Sequence, residues 1–417
     1  MRYPKFLQKG GTIGFLAPSF GCAEGDYRSA AFDHALKKWR EMGYSLVLGP
    51  NCRAAEGVGI SNTPEKCGQE VMDSFLSPES DCLISCGGGE LMCEILPHVD
   101  FAKLAEAEPK WFMGYSDNTN LTYLLATLAD TASVYGPCAG TFGMEPWHES
   151  LYDAFGILTG EKAFGEMGAS RKNSGCAGMG QALSRENSNR AGMEPAVNQE
   201  NSNSTGMKPA VNQENSSATA VEADDGRAAE PVAGGYTVYG YAGWEKESLK
   251  GEENPLAPYH LTQDRILRSY VGRDRSSELA FSGRLLGGCL DCLVNLLGTR
   301  FDRTREYVER YREDGIIWFL EACDLNVFSI RRAMWQMEEA GWLRHVKGFL
   351  IGRPLNGAPM MNLDAYDAVL EVAGRKKVPV VMDVDLGHLP PMMPLVVGSL
   401  ADVAVKGNDI RIEMRFA

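Results

Sequence analysis

The feature that most constrains this chain is a rhythm in its first block. Apolar runs of four to seven residues alternate with amphipathic stretches of helical spacing. TIGFLAP (12–18) precedes a helical stretch through Ala30–Met42, and YSLVLGP (44–50) precedes another around Pro64–Leu76. DCLISCGGG (81–89) is followed by one around Glu90–Leu96, and WFMGYSD (111–117) by one around Asn118–Leu128. Short strands spaced by helices predict a parallel sheet with βαβ crossovers. Ligands of such sheets bind beyond the carboxyl ends of the strands. Ser19, Gly87–Gly89 and Ser116 each lie just past an apolar run. A second block, 235–417, opens irregularly with Tyr239, Tyr241, Trp244 and Tyr259. It continues through LGGCLDCLVNLLGT (286–299), IIWFLEA (316–322), a helix Val327–Ala340 and VKGFLIGR (346–353). A helix Asp364–Ala373, VPVVMDVDLGH (378–388) and two alternating strands, Leu400–Val405 and Ile410–Arg415, complete it. The reading is α/β in both blocks, 1–161 and 235–417.

Between them the composition changes. Residues 176–189, 190–203 and 204–217 are three copies of one fourteen-residue unit, and a degenerate copy ends at Gly175. A solenoid repeat must bury an apolar face against its neighbours. These units are dominated by Asn, Ser, Glu, Gln and Gly, too little apolar surface to offset ordering costs of ~1–2 kcal/mol per residue. Residues 162–234 are therefore expected to be a disordered insertion grown by tandem duplication.

Charge and cysteine usage narrow the function. The net charge of −14 argues against a nucleic-acid polymer as partner, since such footprints need clustered Lys and Arg. No run approaches the ~20 apolar residues that span a bilayer. The N-terminus carries no signal-like apolar core, so no membrane partner and a cytoplasmic location are expected. The 11 cysteines are scattered rather than set at staple spacing, which fits reduced thiols. Cys289 and Cys292 form a CxxC, but no second pair follows at zinc-ligand spacing.

Three polar residues sit at strand ends where burial would be costly. Ser116, in Gly114-Tyr115-Ser116-Asp117-Asn118, occupies a strand-to-helix turn like a nucleophile elbow. The following amide, of Asp117, would lie at a helix N-terminus and could receive an oxyanion. On spacing alone a plain helix cap accounts for Ser116 better. Glu321 follows five apolar residues and needs a partner, for which Arg331 or Arg332 would serve. His388 enters a proline-rich loop, where a structural role is the ordinary one. Together they supply a nucleophile, an acid and a histidine.

At these residues the chain resembles the LD-carboxypeptidases, or muramoyltetrapeptide carboxypeptidases. The resemblance rests on Gly11–Ser19, Gly88-Gly89 with Ile95–Asp100, Gly114–Thr119, Leu285–Leu290 with Leu297–Thr299, Phe319–Glu321, and Gly387-His388 with Pro391 and Pro394. It implies an amidotransferase-like N-terminal parallel-sheet domain plus a smaller C-terminal β/α domain, often paired as a homodimer. It implies a serine peptidase that removes D-Ala from murein tetrapeptide and needs neither metal nor organic cofactor. Ser116 would be the nucleophile, His388 the general base and Glu321 its orienting carboxylate. The backbone amides of Gly88, Gly89 and Asp117 would form the oxyanion hole.

Two departures matter. The family often has Arg before its Gly-Gly pair, where this chain has Gly87, and the insertion falls beside the aromatic stretch. The microcin C immunity branch, which hydrolyses amides of peptidyl- or aminoacyl-nucleotides, is similar in that aromatic middle loop. It makes a peptide-nucleotide conjugate the alternative small substrate. Trp244 is the candidate for stacking on such a substrate, although anchoring of its loop on the core is the stronger of the two readings. A non-catalytic ligand-binding module is a third reading.

Overall fold

A computed structural model of the chain describes residues 1–25, 27–161 and 234–416. The insertion expected over 162–234 lies outside them, except that Gly234 already begins a strand.

Two large sheets organise the described residues. The first contains β1 (Thr12–Leu16), β2 (Ser45–Leu48), β3 (Cys82–Ser85), β4 (Trp111–Gly114) and β5 (Ser133–Tyr135). These five are parallel, in the order β5-β4-β3-β1-β2. The alternation of apolar runs and helices produces this sheet as expected. Helices α1 (Tyr27–Glu41), α2 (Pro64–Leu76), α3 (Phe101–Glu106) and α4 (Thr119–Ala129) follow successive strands, and α5 (Glu149–Thr159) closes the block. Thr63 caps α2 and Pro64 opens it, so its start lies where the sequence placed it. The helix expected at Glu90–Leu96 is instead a 3-10 turn, Met92–His98, with Pro97 inside it. Proline lacks the amide that would extend an α-helix there.

The second sheet begins with β6 (Gly234–Tyr239), while β7 (Gly243–Glu245) and β8 (Leu261–Asp264) form a separate hairpin-like pair. Next come β9 (Arg268–Val271), β10 (Asp274–Arg275) and β11 (Glu278–Cys289), then β12 (Ile316–Glu321), β13 (Val346–Gly352) and β14 (Pro379–Val384). Helices α6 (Leu290–Leu296), α7 (Thr304–Arg310), α8 (Val327–Glu339) and α9 (Ala365–Ala373) connect them. β11, β12, β13 and β14 are parallel neighbours. An antiparallel meander of β16 (Leu400–Lys406) and β17 (Asp409–Phe416) joins β11 to β6.

Between β14 and β16 the chain leaves its own sheet. β15 (Leu395–Val397) pairs antiparallel with β5 of the first sheet, setting Leu395 opposite Tyr135. α4 also joins the two halves: Tyr123 stacks on Trp342 at 5.7 Å between ring centres, and its hydroxyl meets Thr304 at 2.7 Å. A single apolar core runs through both sheets, so Trp111, Phe112, Trp318 and Phe349 are all fully buried. Among the described residues no helix is long and apolar enough to cross a membrane.

Candidate active site

β4 ends at Gly114, and within two residues the chain must turn into the 3-10 turn Ser116–Asn118 that leads into α4. Ser116 makes that turn at φ +62°, a left-handed conformation that a residue other than glycine adopts only when its surroundings impose it. Asn118 stands where the usual elbow carries a closing glycine. Its amide donates to the carbonyls of Gly87 at 2.8 Å and Tyr115 at 3.1 Å, tying the elbow to the glycine loop after β3.

Oγ of Ser116 lies 2.8 Å from Nε2 of His388, to which it donates when the imidazole is neutral, and Nδ1 of His388 donates to Oε2 of Glu321 at 2.9 Å. The structure therefore brings the three strand-end residues into one hydrogen-bonded line. Glu321 ends β12, pairs with neither Arg331 nor Arg332, and is 2 % exposed. Burial works against its charge, but facing His388 outweighs this and holds the carboxyl below its usual range. Burial likewise disfavours the His388 imidazolium, yet the Glu321 carboxylate prevails and raises the histidine above its ordinary value.

The sequence held no sign of Tyr135. Its hydroxyl donates to Oε1 of Glu321 at 2.6 Å and accepts the Ser116 amide at 3.3 Å. It comes from a three-residue strand with no distinguishing pattern. Burial raises its phenol well above the ordinary value, keeping it a donor.

Gly88 lies against the serine: a methyl group there would stand 3.1 Å from Ser116 Cβ and 3.3 Å from Oγ. Its carbonyl accepts the Phe20 amide at 3.0 Å. Asp117 is 3 % exposed and does not point into solvent. It accepts from Ser19 Oγ at 2.6 Å, from the Met92 amide at 2.9 Å and from Asn120 at 3.0 Å. Burial pushes its carboxyl up to about 6, against the pull of these donors. The Asp117 side chain thus pins the loop after β1 and the segment after the glycine loop to the elbow, and Ser19 packs beneath Gly89.

His388 is held by its own loop. Asp385 pairs with Arg353 at 2.7 Å and accepts the Tyr241 amide at 2.8 Å, both buried. Gly387, at φ +94°, brings the backbone against the Glu321 carboxylate, where any side chain would collide. Trp244 is not among the cleft-lining residues. Its ring lies against the guanidinium of Arg353, 5.2 Å from the ring centre, so it braces the base of the histidine loop.

Cys289 precedes α6, and Cys292 directs its thiol to the Ser116 carbonyl at 3.6 Å. The contact with Cys292 and burial raise the Cys289 thiol well above its ordinary value, so this CxxC packs behind the elbow. Among the described residues no group of three or more His, Cys, Asp or Glu is arranged to hold a metal ion.

The cleft over Ser116 and His388 has a volume of about 410 Å³, and Tyr115, Tyr259, Cys138 and Cys323 contribute to its walls. A parallel sheet with a serine held in a left-handed turn, and a Ser–His–Glu line that reaches from it to a second sheet, define an α/β protein of two joined sheets. The chain belongs to the LD-carboxypeptidase family: residues 13–136 match its N-terminal domain and 282–403 its C-terminal domain.

Relatives agree. The chain is 30 % identical over 149 residues to a putative carboxypeptidase of Vibrio cholerae, a match spanning 35 % of this chain and 43 % of that protein. It is 22 % identical to the microcin C7 self-immunity protein MccF of Escherichia coli, across 98 % of this chain and 95 % of MccF. A structure of MccF in complex with glutamyl sulfamoyl guanosine superposes with a TM-score of 0.68 at 19 % identity, covering 99 % of this chain and 98 % of that one. The muramoyltetrapeptide carboxypeptidase of Oxalobacter formigenes superposes at 0.56 and 16 % identity, over 97 % and 98 %.

Proposed function

We propose that this chain is a serine LD-carboxypeptidase, cleaving the amide between an L-centre and a terminal D-amino acid of a murein tetrapeptide. The observation that carries the reading is the unbroken Ser116–His388–Glu321 line at the mouth of the cleft. Ser116 Oγ attacks the carbonyl carbon as its proton passes to His388 Nε2. Glu321 fixes the imidazole tautomer and stabilises the imidazolium. The carbonyl oxygen, now an anion, turns toward the backbone amides of Gly88, Gly89 and Asp117. His388 returns the proton to the departing amine, leaving an acyl-enzyme. Water, deprotonated by His388, then releases Ser116 and the shortened peptide.

A second substrate reading is favoured by one observation. The MccF match runs nearly end to end, through the segment that carries Trp244 and Tyr259. Under it the scissile amide belongs to an aminoacyl- or peptidyl-nucleotide. Either substrate is small, and a cytoplasmic homodimer completes the proposal. The test is hydrolysis by the purified protein of an L,D-linked tetrapeptide and of an aminoacyl sulfamoyl adenosine. D-Ala release abolished by Ser116→Ala supports the first reading, and amide cleavage of the nucleoside alone supports the second. Turnover of neither substrate overturns both, and sedimentation as a monomer overturns the dimer.

A further inference from the structure

We infer that Lys250 is the anchor for an anionic group of the substrate, and so sets what this cleft accepts. The inference rests on the reading of Ser116 as nucleophile. Lys250 lies in the segment between β7 and β8 and lines the same cleft as Ser116, Gly88 and His388. It is half-buried, whereas Arg28, the other lysine or arginine on the cleft walls, is exposed.

The ammonium of Lys250 is incompletely matched. Its Nζ reaches the carbonyl of Gly140 at 3.3 Å, a neutral dipole. Among the described residues no carboxylate lies within ion-pair distance of it. Glu245, a carboxylate lining the same cleft, is buried and already receives the His260 amide at 2.5 Å. Removal from water costs the cation, and burial lowers the lysine pKa, with Cys22 and Glu245 pulling the other way. Natural proteins rarely keep a desolvated lysine without a partner. Here the missing half of the pair fits an anion brought by the substrate, oriented by a charge-assisted hydrogen bond.

Two sources share that chemistry: the free α-carboxylate of a terminal amino acid, and the phosphate of a nucleotide conjugate. In both, a substrate with its anion masked should react poorly.

The experiment compares covalent labelling of Ser116 by two serine-reactive phosphonates, one carrying a carboxylate arm and the other its methyl ester. In the wild type the anionic probe should label faster. Lys250→Gln should lower the anionic-to-neutral rate ratio by about ten- to a hundredfold, and Lys250→Arg should restore much of it. Protection by L-alanyl-D-alanine or by adenosine monophosphate, lost in Lys250→Gln, identifies the carboxylate or the phosphate as the natural anion. A ratio unchanged by Lys250→Gln, with Ser116 still labelled, overturns the role of Lys250 alone. Failure of both probes to label the wild type overturns the nucleophile reading and this inference with it.

Discussion

The hydroxyl of Tyr135 donates to Glu321 at 2.6 Å while the same oxygen accepts the backbone amide of Ser116 at 3.3 Å. One phenol on the first sheet therefore touches both ends of the Ser–His–Glu line. Tyr135→Phe removes that double link and leaves Glu321 Oε1 buried with a lost donor. A net hydrogen bond of ~1–1.5 kcal/mol predicts a fall of about tenfold in kcat, with KM little changed. Steady-state kinetics at fixed pH checks it, and a change confined to KM would count against the relation.

The pH profile of Ser116 labelling should follow His388. Only the neutral imidazole can take the serine proton, and the folded histidine is raised by Glu321. Reactivity should therefore rise with pH through a midpoint above the ordinary histidine value of ~6.5. Glu321→Gln removes the charge that raises it, so the midpoint should move to lower pH while the rate falls by roughly 10³-fold or more. A midpoint that moves upward in the variant would contradict this electrostatic account.

Gly387→Ala should be damaging twice. The residue sits at φ +94°, and a methyl group there meets the Glu321 carboxylate. Strain of ~1–3 kcal/mol is expected, appearing as a lower thermal midpoint, together with a loss of Ser116 labelling larger than the loss of stability explains. Ala substitution at Gly407, where φ is +59° and the surrounding space is open, supplies the control for backbone strain alone.

Trp244→Ala separates bracing from stacking. Its ring lies on Arg353, which holds Asp385 at the base of the histidine loop. The variant should lose ~1–2 kcal/mol of stability, the size of a partly desolvated cation–π contact, and react more slowly with peptide and nucleotide substrates by the same factor. A selective loss on the nucleotide substrate would favour stacking instead.

How much of this was legible in the sequence depended on whether the signal was local. The strands at 12–16, 82–85, 111–114 and 316–321 announce themselves because each is a short apolar run bounded by turn residues. Ser116, Glu321 and His388 could be singled out because polar residues at the ends of such runs need a reason to be there. Tyr135 offered no such contrast: an aromatic in a three-residue strand looks like core, and its partner Glu321 is 186 positions away. Lys250 was invisible for a related reason, since a lysine in a polar loop looks solvated until folding encloses it. The misread helix after Glu90 was a local conflict, between amphipathic spacing and Pro97, that the proline decided.

The excursion of β15 into the first sheet has a mechanical consequence. The stretch from Pro379 to Val397 starts in one sheet and ends in the other, with His388 on the span between. The imidazole is thus carried on a bridge with an abutment on each side, and Ser116 belongs to the far bank. Swinging the two sheets apart would pull the span taut and lift the histidine from the serine. Under the proposed mechanism the histidine stays within reach of the serine only while both abutments hold.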